Sequence, residues 1–247
     1  MATTAGGSGA GAAAVAARPL AQRLRSLPAA AVGRIKAAAF VASLVPLARL
    51  VAAGVSDAYG GALGDAVSLG TNPIETVTRS TGTWALAFVC ITLLVTPLRR
   101  LTGANWLLRL RRMIGLFAFF YAVLHLLTYV WFDQWFDWAA IVKDVIKRPF
   151  ITVGFAAFVL LTPLAITSTD GMIRRLGRRW GRLHTLVYVI GPLGAVHYWW
   201  LVKRDLTQPA LWAAAVALLL GFRIAWRLRP GAAPPPPAAR ARPTGQG

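Results

Sequence analysis

The stretch that decides the fold, RRLGRRWGRLHTLVYVIGPLGAVHYWW, occupies residues 174–200. Its first nine residues include five arginines, and a long apolar run follows them. That run carries His184 and His197, two of only three histidines in 247 residues. A basic cluster in front of an apolar run is typical of a helix that enters a membrane from the cytoplasm. The stretch therefore predicts a membrane helix that contains polar rings.

The rest of the chain has the composition of a membrane protein. It is 57% hydrophobic and 14% charged, which is too apolar for a soluble domain with a polar surface. The apolar runs are continuous and do not alternate, which predicts an all-α, polytopic membrane protein. The net charge of +19 comes from arginine clusters between these runs. We therefore expect contacts with membrane lipids and no nucleic-acid partner.

Six apolar runs predict six transmembrane helices, at 35–55, 75–98, 113–132, 150–167, 183–202 and 209–226. We expect a six-helix transmembrane domain over 31–229, between a disordered basic segment, 1–30, and a disordered Pro-rich tail, 230–247. Residues 131–149 mix aromatic and charged side chains and predict an amphipathic helix at the membrane surface. Arginine is most frequent in the second-to-third and fourth-to-fifth loops and in both terminal segments, which places both termini in the cytoplasm.

Depth in the membrane distinguishes the histidines. His125 follows Arg112 by thirteen residues and lies roughly 20 Å from the arginine-rich edge. His197 follows Arg182 by fifteen residues and lies roughly 22 Å from it. Two imidazoles at matched depth on neighbouring helices can bind one metal ion from both sides, and heme iron suits this pair better than zinc. The alternative is that each is a buried histidine with ordinary hydrogen bonds.

His184 has a different position, about 3 Å inside the arginine-rich edge. It precedes His197 by thirteen residues, so a straight helix would turn the two rings roughly 140° apart. The chain has no fourth histidine, which excludes a second heme held by two histidines within one chain. A surface role, or contact with a second heme or a flavin, stays open for His184.

Several neighbouring side chains also have two interpretations. Tyr121, Tyr129 and Tyr198 flank the histidines, and they either pack on a porphyrin or fill space in the bundle. The arginines at 109–112 and 174–182 either bind a flavin phosphate or only set the topology. The single cysteine, Cys90, excludes an intrachain disulfide and a cysteine-based metal cluster.

Four segments resemble one known family: RRMIGLFAFFYAVLHLLTYVWFD, KRPFITVG, PLAITSTDGMIRRLGRRWGRLHTLVYV and HYWW. They resemble the MsrQ (YedZ) family, the heme-bearing membrane subunits of bacterial methionine sulfoxide reductase systems. The resemblance covers residues 80–229. That family is similar in fold to the ferric reductase and NADPH oxidase membrane domains. The resemblance therefore implies a ferric reductase-like bundle in the bacterial inner membrane.

The resemblance also implies cofactors and partners. They would be heme b and flavin mononucleotide (FMN), with electrons from the quinone pool or from a cytosolic flavin reductase. The acceptor would be a periplasmic, molybdenum-containing methionine sulfoxide reductase subunit that repairs oxidised proteins. The family histidines fall on His125, His184 and His197, which suggests heme contact for His184 too. No flavin motif is visible, and no catalytic residue is expected on this chain because the cofactor carries the redox chemistry.

Two other functions are compatible with this pattern of spans. A self-contained ferric or quinone reductase of the same fold would use a nucleotide-binding domain, and the chain has no G-x-G-x-x-G motif. A transporter would use a buried histidine as a proton relay. The lack of a visible internal repeat and of acidic residues within the spans disfavours the transporter.

Overall fold

The computed structural model describes residues 27–64, 67–202 and 205–228. The predicted N-terminal segment 1–30 lies outside the described residues except for 27–30, and the predicted tail 230–247 lies wholly outside them. The described residues form helices and no strand. Their α-helices, in chain order, are α1 (Ala29–Ala58), α2 (Pro73–Thr102), α3 (Leu108–Thr128), α4 (Trp138–Lys147), α5 (Pro149–Ile166), α6 (Asp170–Leu176), α7 (Arg178–Leu183), α8 (Val187–Leu201) and α9 (Thr207–Leu228). The prediction of an all-α membrane protein is confirmed.

Five helical segments of the described chain are long and apolar enough to cross a membrane. They are α1, α2, the helical stretch Asn105–Asp133 that contains α3, α5, and α9 through Arg227. The predicted fifth span, 183–202, is the exception, because α8 has only 15 residues. A 3-10 turn, His184–Leu186, precedes it. Together they rise about 28 Å, close to the roughly 30 Å of a bilayer core. The prediction of six spans and the five long apolar helices of the structure thus differ only at residues 183–202.

The helix ends follow from local sequence. The side chain of Asn72 accepts a hydrogen bond from the Glu75 amide at the start of α2, where Pro73 occupies the first turn. The same helix ends at Gly103, whose φ of 73° is accessible to glycine without steric cost. The Asp137 side chain caps α4 through the Ala140 amide. The predicted amphipathic helix within 131–149 is therefore α4.

The buried core lies between α2, α3 and α8. Its fully or nearly fully buried side chains include Phe88 and Leu93 of α2, Phe117 and Tyr121 of α3, and Ile190 of α8. The rings of Phe88 and Tyr121 stack with centroids 5.3 Å apart. α8 also packs against α5 and α9. This arrangement holds the helices of the second half of the chain against those of the first.

Pro46 lies inside α1, and a side chain from α3 enters the hydrogen-bond ladder of the helix beside it. The Leu47 amide donates to the hydroxyl of Tyr121 at 3.1 Å, and that hydroxyl donates to the Ser43 carbonyl at 2.8 Å. The hydroxyl thus occupies the place of a backbone hydrogen bond from Leu47 to Ser43, a recognised cause of helix bending. Tyr121 is completely buried. The structure gives Tyr121 this bridge between α1 and α3, and its packing on a porphyrin stays a prediction.

One end of the bundle is rich in arginine, and we call it the arginine-rich end. It comprises the C-termini of α2 and α9, the N-terminus of α3, and helices α6 and α7. The Arg112 guanidinium donates to the Asp170 carboxylate across this end. The hydrogen bond from Arg112 lowers the pKa of exposed Asp170 below its usual value. The opposite end carries exposed tryptophans, Trp131, Trp135, Trp138 and Trp200, and we call it the aromatic end.

Candidate functional site

His125 of α3 and His197 of α8 meet inside the bundle. Their ring centroids are 6.0 Å apart and their planes are inclined by 75°. Two imidazoles bound on opposite sides of one metal ion, through bonds of about 2 Å, would have ring centres roughly 6 Å apart. The spacing therefore suits a metal ion held between two rings.

Hydrogen bonds orient both imidazoles in the same way. Nδ1 of His125 lies 2.9 Å from the Thr78 carbonyl, and Nδ1 of His197 lies 2.6 Å from the Phe150 carbonyl. A carbonyl only accepts, so Nδ1 is the donor in both contacts. In a neutral imidazole this assignment leaves the lone pair on Nε2. Metal-binding histidines commonly have this arrangement, with one nitrogen anchored and the other free to coordinate.

A glycine lies against each ring, one helical turn after the carbonyl that anchors it. A Cβ atom built on Gly82 of α2 would lie 2.9 Å from Cε1 of His125. A Cβ atom built on Gly154 of α5 would lie 2.5 Å from Nδ1 of His197. Residues four apart share one face of a helix, so the missing side chain opens the path from ring to carbonyl. The two halves of the site, one around each histidine, have the same construction. The histidine lies on one helix, and the carbonyl and the glycine lie on a neighbouring helix.

The described residues place no group of three or more His, Cys, Asp or Glu side chains where it could hold a metal ion. Zinc sites usually have three or four protein ligands, and they do not match this pair. Heme iron takes four nitrogens from its porphyrin and needs two from the protein. His125 and His197, each with Nδ1 anchored, are the residues that would hold such a heme through Nε2.

At the aromatic end, Asp144 of α4 is the centre of a network of hydrogen bonds and an ion pair. One carboxylate oxygen, Oδ2, accepts from the Tyr129 hydroxyl at 3.1 Å and from the Gln134 amide at 3.0 Å. The other, Oδ1, lies 3.1 Å from Nε of Arg148. The Asp144 side chain is only 15% exposed, so these contacts are partly shielded from water. The observed role of Tyr129 is this hydrogen bond.

This network joins the chain segments on either side of the histidine pair. Tyr129 follows His125 by four residues, and its amide donates to the His125 carbonyl. Arg148 precedes Phe150 by two residues, and Phe150 supplies the carbonyl that anchors His197. Asp144 therefore ties the end of one ligand-bearing helix to the backbone that orients the other ring.

His184 belongs to a separate cavity of about 270 Å³ at the arginine-rich end. Its ring stacks on Trp180 with centroids 3.9 Å apart, and its Nδ1 lies 3.1 Å from the Trp180 carbonyl. Arg111, Arg112 and Ser168 also line this cavity. A flat ring system with an anionic group would find an aromatic wall and two guanidinium groups there.

Comparison with known proteins gives concordant matches. The ferric reductase like transmembrane component family matches residues 81–195. A protein of Herminiimonas arsenicoxydans, named protein-methionine-sulfoxide reductase heme-binding subunit MsrQ, is 56% identical over 195 residues, which cover 78% of this chain and 85% of the relative. Proteins of the same name from Ralstonia nicotianae and Bordetella pertussis are 54% and 52% identical, covering 81% and 84% of this chain and 89% and 97% of those relatives. The chain belongs to the MsrQ family. No solved structure was found to match it.

Membership of the MsrQ family confirms the resemblance read from four sequence segments. The structure brings together His125 and His197 and places His184 in the separate cavity. The ligand roles of all three histidines stay predictions. Sequence reasoning missed Gly82 and Gly154, although an isolated glycine inside an apolar helix often marks a close approach.

Replacing Asp144 with asparagine should loosen the aromatic end. The amide keeps an acceptor for Tyr129 but loses its charge, so the ion pair with Arg148 is lost. We expect a loss of about 1–2 kcal/mol of unfolding free energy, measured as a fall of a few degrees in melting temperature in detergent. Replacing Asp133, an exposed carboxylate in the same region, with asparagine is the matched control. Equal melting temperatures for the two variants would contradict the bridging role.

Proposed function

We propose that this chain is a membrane electron-transfer subunit in which His125 and His197 bind one b-type heme. The observation that carries the proposal is the anchored imidazole pair, 6.0 Å between centroids. Heme supplies an iron that gains and loses one electron at a time. The chain would supply two imidazole nitrogens to hold the iron, and the carbonyls of Thr78 and Phe150 accept from Nδ1 of the two rings, which favours one tautomer.

The proposed acceptor is the catalytic subunit of a methionine sulfoxide reductase. The names of the relatives support this, because they describe heme-binding subunits of such a reductase. We further propose that the acceptor is a periplasmic, molybdenum-containing subunit, that the chain lies in the bacterial inner membrane, and that both termini are cytoplasmic. Clustering of arginine at one end of the bundle supports that orientation. The histidine pair then lies in the outer half, next to the acceptor.

The proposed entry point for electrons is the cavity beside His184. Its two arginines suit the phosphate of FMN, and the stacked Trp180 and His184 offer a flat wall for an isoalloxazine ring. The donor would be the quinone pool or a cytosolic flavin reductase, reaching this cavity from the arginine-rich end. Electrons would then cross the bundle from one end to the other.

A reoxidation assay tests the proposed function. Methionine sulfoxide takes up two electrons and two protons to give methionine and water, so we expect two equivalents of reduced heme to be consumed per sulfoxide. Consumption should require both the sulfoxide and the purified catalytic subunit. Rapid reoxidation by a ferric chelate or a quinone, with no dependence on the catalytic subunit, would instead favour a self-contained reductase.

Replacing His184 with alanine should separate the two sites. We expect the heme between His125 and His197 to stay at wild-type stoichiometry, while bound FMN falls about tenfold because the ring wall is lost. Heme per chain is measured by the pyridine hemochrome absorbance, and FMN by its fluorescence after release. A wild-type content of two hemes, with one lost in this variant, would assign the cavity to a second heme and end the FMN proposal.

A further inference from the structure

Arg223 of α9 is a cation buried inside the bundle. It is 7% exposed, and its guanidinium carbon lies 4.8 Å from the centroid of the Tyr188 ring of α8. It is five residues from Leu228, the end of α9, and thus about 7.5 Å inward from the arginine-rich end. A charged group at such a depth is costly unless it serves a partner.

One hydrogen bond of the buried Arg223 side chain is explained by Pro97 of α2. Proline has no amide hydrogen, so the carbonyl four residues earlier, that of Leu93, has no helical donor. Nη2 of Arg223 donates to this carbonyl at 2.8 Å. The contact satisfies the free carbonyl, but it uses only one of the five donor hydrogens of a guanidinium.

Two of the three guanidinium nitrogens have no hydrogen-bond partner among the described residues. Nε and Nη1 of Arg223 are buried without one in the described part of the chain. Tyr188 also forms a side-chain hydrogen bond with Arg223, and the charged neighbours of Arg223 among these residues are two further arginines, Arg111 and Arg100. None of the ion pairs among the described residues includes these arginines. The local charge is therefore positive and lacks a carboxylate to balance it.

We propose that Arg223 binds a phosphate group, together with Arg111 and Arg100, at the arginine-rich end of the bundle. A guanidinium presents parallel N–H donors that match two phosphate oxygens. Phospholipid headgroups carry phosphate, and basic pockets between membrane helices bind such headgroups. The phosphate belongs either to an anionic phospholipid or to a soluble compound such as FMN. The proposal rests on the proposed function only in the FMN case, and it does not involve the heme.

Melting temperature with defined probes tests the site. Lipid-depleted protein in detergent receives phosphatidylglycerol, inorganic phosphate or FMN, each against sodium chloride of equal ionic strength. We expect at least one probe to raise the wild-type melting temperature by about 5 °C at a hundredfold excess over its Kd. Arg223→Gln should abolish that rise. Arg227→Gln, the same change at an exposed position on the same helix, should retain it.

The responding probe identifies the source: a response only to phosphatidylglycerol assigns the phosphate to lipid, and a response to FMN or inorganic phosphate assigns it to a soluble ligand. No response in the wild type, or equal responses in wild type and Arg223→Gln, would overturn the proposal. The heme spectrum, recorded on the same samples, reports separately on the proposed function.

Repeating the experiment in a Pro97→Ala variant separates phosphate binding by Arg223 from its contact with the Leu93 carbonyl. In Pro97→Ala the new amide at position 97 can donate to the Leu93 carbonyl, so Arg223 is no longer needed there. If Arg223 serves only that carbonyl, adding Arg223→Gln to this background changes neither stability nor ligand response, and the proposal is wrong. If Arg223 binds phosphate, the double variant folds but still loses the rise in melting temperature.

Discussion

Replacing His197 with alanine should remove nearly all bound heme, at least a tenfold loss relative to the wild type. The change deletes one of the two axial nitrogens that we propose, and heme held by one imidazole loses half of its protein ligation. Replacing His125 with alanine should have the same effect, because the two half-sites are built alike. The measurement is heme per purified chain, with the reduced-minus-oxidised spectrum of whatever heme remains.

Added imidazole makes this experiment specific to ligation. The alanine variant leaves a hole of about the right size, so millimolar imidazole should restore part of the low-spin spectrum if only the ligand is missing. His184→Ala serves as the control for losing a histidine from the same bundle. Wild-type spectra in both His125→Ala and His197→Ala would end the ligand assignment.

Replacing Gly154 with alanine should be nearly as severe, although Gly154 is not a ligand. The new methyl group would lie 2.5 Å from Nδ1 of His197, closer than nonbonded atoms approach. The ring must turn away, which breaks its bond to the Phe150 carbonyl and misdirects Nε2. We expect a fivefold or greater loss of heme, and a shifted midpoint potential for any heme retained. Gly82→Ala should act in the same direction but less strongly, since its closest approach is 2.9 Å.

Helix propensity alone predicts that alanine at position 154 stabilises α5, whereas the contact with His197 predicts a loss of heme. The two effects can therefore be separated. Alanine favours a helix over glycine by about 1 kcal/mol, so weaker helix formation cannot explain the loss of heme, and any destabilisation must come from the contact with His197. Gly221→Ala is the control, because a Cβ atom there meets nothing within 4 Å. Normal heme content in Gly154→Ala, measured alongside Gly221→Ala, would show that close packing on His197 is not required.

The sequence predicted a membrane protein and the proximity of His125 and His197 because both follow from lengths counted along the chain. Runs of apolar residues set helix length, and the 1.5 Å rise per residue sets depth. Counting from Arg112 and Arg182 was therefore enough to put His125 and His197 at one level. Family membership followed from four local motifs, which need no three-dimensional information.

The remaining features depend on contacts between helices, which a single sequence does not reveal. The carbonyls of Thr78 and Phe150 could not be predicted, because every residue has a carbonyl and only the fold selects these two. In the sequence nothing distinguishes Arg223 from other basic residues near helix ends, and its contact with Leu93 depends on how α9 packs against α2. The fifth span was counted as a full helix because a 3-10 turn, such as that at His184, leaves no clear sequence mark.

The bridge made by Tyr121 has a consequence for biogenesis. The hydroxyl inserted at Leu47 belongs to a residue 74 positions later in the chain. At ordinary rates of synthesis this residue is added on the order of ten seconds later. Until then the Leu47 amide can donate directly to the Ser43 carbonyl, as in an ordinary α-helix, so the inserted hydroxyl can enter only after α3 has been made. A chain truncated before this tyrosine would keep the direct hydrogen bond, so the bridge at Leu47 forms only when α1 packs against α3.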